Sequence, residues 1–565
     1  MNRLTICATA MLSAAVLAAS CCRDAEISCN GVEPLVKVFP EDVAYMPARD
    51  TAHAAGNTHV EFAFALHPGA EVEGFSVTCS QLVSENGVTI PAPQCGVVDY
   101  VGVGAYADNP AHDALRRASG IFPDPIIESE TYNLPAFRTF CTWITAAVPA
   151  GTAEGVYKGR VSMTGRCGGR RFGFERDIYI KVYPISMRKP TFKTANWVFD
   201  NDNCLKAWNN GEAVDKDSEL YRLYIRQLAD MLKGVWQTAT KVNVFETVEC
   251  GKDNDGRWTF DFSRFDMLVS MFKDAGAGEF VYGGDLGARV SPGWGGAAGL
   301  NVPDGKDFRQ IVTLPVSDPR VTEFYREFLP ALRSHLESKG WIDGYVQQIS
   351  DEPSDLNIDS YRTAVALVRR YWPDIKVLEA CQVTDRAVGA INIWCPQLDH
   401  WHNGYDFFRS RQKASEEVWF YTCCYPRGEY PNRFIEQPLL KGRVLAWMAF
   451  KYKADGYLHW GFNYWNADPY SDTSVPGAGS VLPGGDSWLI YPGVRKMYRS
   501  IRYEEYRDGI EDLTLLQMLE EHNPQKAQEL ADKMVFNWWN YCTSPAQFHD
   551  IRRSLLESLS SYFGN

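Results

Sequence analysis

Between about residue 192 and residue 500 the chain alternates short apolar runs with amphipathic stretches, and that alternation limits its fold more than any other feature. Strand-like runs fall at 195–199, 241–245, 280–284, 344–350, 375–380, 391–395, 418–423 and 457–462. The intervening stretches have helical period. LYRLYIRQLADML puts Leu220, Tyr224, Leu228 and Met231 on one face, and YRTAVALVRRYW does the same with Tyr361, Ala364, Val365 and Val368. Strands joined by helices pair in parallel, so eight such units predict a (β/α)8 barrel. A doubly wound open sheet is the competing architecture, but no GxGxxG opens a helix. The glycine-rich GGDLGARVSPGWGGAAGLN lacks a GK[ST] ending and reads as a long loop after the third strand.

At 565 residues the chain exceeds one core. From about 30 to 190, alternating segments such as HVEFAFAL, TWITAAV and GRVSMTG are split by Gly, Pro and Asn turns, the pattern of a β-sandwich. The prolines of YPISMRKPTFKTANW place its end near 190. At the other end, IEDLTLLQMLEE and IRRSLLESLSSYF are helical. The expected organisation is a leader over 1–21, a sandwich over 22–190, a barrel over 191–504 and closing helices over 505–565.

The leader has Arg3, an apolar run from Leu4 to Ser20 and then LAASCC, which reads as a bacterial export signal ending in a lipobox. Cys21 is its expected acylated residue, tethering an exported protein to the outer membrane, periplasmic or at the cell surface. No later stretch supplies the roughly 18 consecutive apolar residues of a membrane-spanning helix. A net charge of −13 argues against a nucleic-acid partner. The 15 cysteines are scattered without a CxxC pair, which predicts mostly small buried hydrophobes and a bridge such as Cys79–Cys95.

The predicted fourth strand runs into QQISDEPSD, so Asp351 and Glu352 emerge at a strand end followed by Pro353. Two readings are open from spacing alone: a helix N-cap signal, or catalytic acids at the C-terminal face of a barrel. Other strand ends carry aromatic and polar side chains together, in NWVFDND, NIWCPQLDHWH, WFYTCCY and LHWGFNYWNADPY. Aromatic rings stack on pyranose faces while Asn, Asp and His bond hydroxyls, so four such ends on one face predict a carbohydrate pocket. Trp394, Trp460 and Trp465 are candidate walls, and Asn463, Asp468 and Asp200 candidate hydroxyl ligands. Tyr421 is either a hydrogen-bond donor to substrate or a core strand residue. Asp399 to His402 has HxH spacing but no third ligand, so no metal or other cofactor is expected. Neither HExxH nor GxSxG occurs.

The DE pair, GFNYWNADPY, and the stretch DSWLIYPGVRKMYRSIRYEEYRDGIEDLTLL together resemble glycoside hydrolase family 123. GVRKMYRSIR departs from the Gly and Pro that relatives often carry between the last two motifs. The resemblance implies a sandwich, a (β/α)8 barrel and exo-β-N-acetylgalactosaminidase activity on glycans or glycolipids carrying terminal β-GalNAc. It also implies substrate-assisted catalysis, with Glu352 as general acid/base, Asp351 holding the 2-acetamido group, and Tyr421 a donor to the acetamido oxygen. Adjacent acids suit that chemistry better than a double displacement, which needs carboxylates facing each other. An ionised Asp351 is also expected to raise the pKa of Glu352. The alternatives are a β-N-acetylglucosaminidase or other exo-glycosidase on the same barrel, and a non-catalytic glycan-binding surface lipoprotein. Arg507, Asp508, Glu511 and Asp512 of RDGIED read as structural ion pairs.

Overall fold

A computed structural model describes residues 26–49, 51–104, 109–382, 385–477 and 480–563; the leader and Cys21 lie outside them. The chain divides into two compact units, residues 1–99 with 126–186, and residues 100–125 with 187–565. The change of unit at Met187 falls close to the expected 190, but 100–125 groups with the second unit, which no compositional shift announces.

Among its described residues the first unit is all β. One sheet contains Ile27–Val32, Thr58–Pro68 and Phe140–Val148 in that order, and the other contains Thr51–Gly56, Arg170–Ser186, Gly155–Cys167 and Val72–Cys79. Alternation places Phe62, Phe64 and Leu66 in the core. The sheets meet where Cys29 Sγ lies 3.9 Å from Met163 Sδ. Cys79 and Cys95 are free thiols here, so the expected bridge is not formed. Burial and the neighbouring Cys95 hold the Cys79 thiol up at about 12.

The second unit carries the eight expected parallel strands: β1 (Lys193–Asn196), β2 (Ala239–Lys241), β3 (Phe280–Asp285), β4 (Tyr345–Gln348), β5 (Leu378–Cys381), β6 (Ile393–Pro396), β7 (Glu417–Tyr421) and β8 (Gly456–His459). They form two arcs, β1-β8-β7-β6-β5 and β2-β3-β4. The arcs meet where Gln347 bridges Val377 and where Thr238 N donates to Thr194 O at 3.3 Å. The strands therefore follow one another around a ring, the order of a (β/α)8 barrel. Inward side chains from every strand fill it, from Ala195 on β1 to Leu458 on β8. Tyr361, Ala364, Val365 and Val368 are buried as their spacing predicts, whereas the face of the earlier helix centres on Tyr221, Tyr224 and Leu228 rather than Leu220 and Met231. The loop after β3 contains a hairpin, Leu300–Asp304 with Gln310–Leu314, that its glycines concealed.

The closing helix begins at Ile501 and runs to His522, packing on helix Leu440–Tyr452 within the same unit. Gly509 permits this contact, since a Cβ there would lie 3.3 Å from Arg443 Cα and Ala446 Cβ. Buried Arg443 pairs with Asp512 at 2.8 Å and with Glu505 and Asp508 at 3.2 Å. Arg552 Nε reaches Asp512 at 2.8 Å, and Arg507 reaches Glu504 at 2.7 Å. RDGIED is thus a paired core between helices. Among the described residues no helix is long and apolar enough to cross a membrane.

Candidate active site

Strand β4 reads Tyr-Val-Gln-Gln, and both glutamines are fully buried, so each needs partners. Gln347 accepts from Tyr345 Oη at 2.5 Å and donates to the Gly284 carbonyl. A Cβ on Gly283 would sit 2.0 Å from Tyr345 Oη, so only glycine leaves room for this pair. Gln348 accepts from the Tyr282 hydroxyl and donates to Asp351 Oδ1 at 3.0 Å. Asp351 is thereby oriented from within the barrel.

The turn after β4 is held from below by Glu379 on β5. Its Oε2 accepts from Ile349 N at 3.1 Å, Ser350 N at 3.3 Å and Tyr361 Oη at 2.9 Å. Glu352 then takes φ +49°, in the left-handed region that costs a residue with a Cβ about 1–3 kcal/mol. Arg289 Nη2 fixes it by donating to the Glu352 carbonyl at 3.1 Å, and the Tyr421 hydroxyl at the end of β7 donates to Glu352 Oε1. The next helix starts later, at Ile358 with Asn357 before it. Asp351 and Glu352 cap nothing, which removes the bland reading of the pair.

The two carboxyls perturb each other. Asp351 opens into the cavity, yet protein surrounds it on its other sides. That desolvation, together with the charges of Asp285 and Glu352, pushes its pKa up to about 7 against the opposing pull of Lys241 and Arg289. Burial also raises Glu352, while the Tyr421 hydrogen bond, Arg289 and His400 oppose the rise. The sequence placed the shift on Glu352 and its cause in the Asp351 charge; in the structure both members move, Glu352 through burial and Asp351 through burial with the charges of Asp285 and Glu352.

The acids line a cavity of about 590 Å³, the size of a small-ligand site. Tyr421, Trp460, Trp197, Trp294 and Asp486 share its wall. Trp460 Nε1 is 3.2 Å from Asp486 Oδ2. Asp486 has no exposed surface, and burial raises it to about 7. The vicinal thiols Cys423 and Cys424 also face this cavity.

Not every candidate arrives there. Trp394 lies between inward-facing Ile393 and Cys395, so strand alternation turns it out of the barrel. It packs edge-on to Phe407 and donates to Glu416 at 2.6 Å. Trp465 is buried, with its Nε1 on the Ile490 carbonyl at 2.8 Å. Asn463 spends its amide on Phe199 N, Phe199 O and Tyr224 Oη, each at 2.8 Å. Asp468 is exposed and accepts from Ser471 N at 3.2 Å in a turn. Asp200 belongs to a neighbouring cleft of about 770 Å³ that shares Trp197 with this cavity, and it pairs there with Lys216 at 3.0 Å and Arg264 at 3.4 Å. These five are scaffold or lie elsewhere. In DHWH, His402 bonds Tyr430 at 2.9 Å, while His400 lies near Glu352, so the two rings do not converge on a metal.

Sequence reasoning missed Gln348, Glu379, Arg289, Trp294, Trp197 and Asp486. Two glutamines in a buried strand were a usable signal, as was a lone tryptophan in a glycine-rich loop. Asp486 sits in PGGDSW, away from any strand end, and had none.

The catalytic-domain model of glycoside hydrolase family 123 matches residues 218–519, and that family's N-terminal domain model matches residues 50–165. The solved structure of a family 123 glycoside hydrolase from Clostridium perfringens, described in terms of glycolipid glycan hydrolysis, superposes with a TM-score of 0.72 at 16% identity, over 95% of this chain and 97% of that one. A β-glucuronidase from Parabacteroides merdae reaches only 0.30 at 7% identity, over 86% of this chain and 51% of that one, and carries no weight. The comparison with curated proteins returned no match. With a family model covering more than half its length, and an acidic pair at the rim of its barrel, this chain belongs to glycoside hydrolase family 123 and is a glycoside hydrolase.

Proposed function

We propose that the chain is a retaining exo-β-N-acetylgalactosaminidase that removes terminal β-GalNAc from glycans or glycolipids by substrate-assisted catalysis. One observation carries this reading: Asp351 and Glu352 leave the same turn, each held by its own partner, Gln348 and Tyr421. The remaining carboxyl on the cavity wall, Asp486, is enclosed and bonded to Trp460. An attacking group is therefore better supplied by the sugar. The 2-acetamido oxygen attacks C1 while Glu352 protonates the departing oxygen, giving an oxazolinium ion. Asp351 accepts the acetamido N–H and offsets the ring charge. Glu352, now ionised, then takes a proton from water as it opens the ring, so the configuration is retained.

Tyr421 has two roles in sequence. In the empty pocket its hydroxyl favours the ionised form of Glu352. When substrate enters, the hydroxyl turns to the acetamido oxygen and Glu352 is left as the acid. The C. perfringens relative's connection with glycolipid glycans supports that substrate class.

Rates on paired aryl β-GalNAc and β-GlcNAc substrates test the assignment. Faster release of GalNAc is expected. Preference for GlcNAc would transfer the reading to a glucosaminidase, and release of neither sugar would move it to another exo-glycosidase on the same barrel. Export and lipid attachment at Cys21 belong to the same proposal: Cys21→Ser should move the protein out of the membrane fraction, and an unacylated wild type would end it.

A further inference from the structure

The loop after β3 sends one aromatic ring back over the catalytic rim. Trp294 lines the same cavity as Glu352 and is 52% exposed, although large apolar side chains are ordinarily sheltered. It does not hang free. The Arg289 guanidinium lies over its ring, with Cζ 4.5 Å from the centroid. The same guanidinium donates through Nη2 to the Glu352 carbonyl at 3.1 Å. Its Nε is buried and has no hydrogen-bond partner among the described residues. Next to Trp294 in the chain, Gly295 lies against Leu356, which is 76% exposed, and a Cβ on Gly295 would stand 3.5 Å from Leu356 Cδ1. A flat ring, backed by a cation and open on one side, is thus tied to the peptide of the catalytic acid.

We propose that Trp294, set by Arg289, is the platform for the leaving-group sugar, the pyranose to which the released residue is attached. The inference rests on Glu352 being the acid of the preceding section. A general acid delivers its proton to the glycosidic oxygen, so the leaving group must depart past Glu352. Trp294 lines the same cavity as Glu352, and a single guanidinium joins its ring to the Glu352 peptide. This nearness selects the first ring of the leaving group over a distant lipid tail. A pyranose presents a face of C–H bonds that stacks on indole.

The test compares Trp294→Ala and Trp294→Phe with wild type on two glycosides of the same terminal sugar. One has a second pyranose as leaving group and the other only a methyl group. Wild-type rates on 2-acetamido and 2-hydroxy sugars of galacto and gluco configuration come first and fix which terminal sugar is used. A wrong sugar assignment thus shows in the wild-type rates, separately from the platform. Trp294→Ala should lower kcat/KM on the disaccharide by roughly ten-fold, the scale of one aromatic stacking contact, and leave the methyl glycoside almost unchanged. Trp294→Phe should recover most of the loss. Equal losses on both glycosides would make Trp294 a support for Glu352 rather than a subsite, and no loss on either would make it a bystander; each result overturns the proposal.

Discussion

Two places in the second unit crowd carboxylates together, and they treat them in opposite ways. Under the closing helix, Glu504, Glu505, Asp508 and Asp512 are shielded from water, and Arg443, Arg507 and Arg552 lie within 3.2 Å of them. At the barrel rim, Asp351 meets Glu352 and Asp285, and its own hydrogen bond comes from the neutral amide of Gln348. In the first place arginines pair with the acids so that helices can pack, although burial still lifts Glu505 to about 8. In the second, like charges are held together, with a left-handed Glu352 among them. Acidic residue type says little about role; the supply of counter-charge and the backbone cost of the arrangement separate a structural acid from a working one.

The largest effect that sharpens this contrast belongs to Glu352. Glu352→Gln should lower turnover by about 10²–10⁴-fold on poor leaving groups, and by far less on activated aryl glycosides that depart without a proton. Equal losses on both would deny it the acid role. Next in size is Arg443→Met, which leaves buried carboxylates without their cation. Urea unfolding should show a loss of about 3–5 kcal/mol, with unchanged kcat for the molecules that remain folded. A variant as stable as wild type would mean the ion cluster does not hold the helices.

Much of this contrast was legible before any coordinates. Eight strands, the acidic pair and the structural role of RDGIED follow from apolar period and local charge, since these depend on neighbours in the chain. What failed depends on direction. Trp394 sits at a strand end like Trp460, but one residue of register turns it outward, and its position in the string does not reveal that. Asn463 looked like a sugar ligand because its type is right, yet Phe199 and Tyr224, far off in sequence, consume its amide. Glu379 and Asp486 reach the site through the fold alone.

Asp351→Asn probes the coupling with a smaller effect. Removing the charge beside Glu352 lowers the pKa of the acid, so Glu352 loses its proton at lower pH. The alkaline limb of kcat/KM should move down in pH, in addition to a fall in rate, and an unmoved limb would mean the carboxyls are independent. The smallest expected effect is on stability. The folded pKa of Asp351, about 7, stands above the 3.8 of a free aspartate side chain. Ionisation therefore opposes folding once pH exceeds about 4, and the opposition is complete above about 7. Asp351→Asn should raise Tm relative to wild type at pH 8 and not at pH 4; a Tm lowered equally at both would mean that the poorer fit of the amide NH2 outweighs the removal of charge.

The origin of the nucleophile decides the mechanism. The most direct measurement is turnover of two aryl β-galactosides that differ only at C2, one with an acetamido group and one with a hydroxyl. If the substrate supplies the nucleophile, the acetamido sugar is cleaved and the hydroxyl sugar, which has nothing to attack with, falls short by orders of magnitude. Comparable cleavage of both would contradict it and require a protein carboxylate as nucleophile, with Asp486 the first to replace.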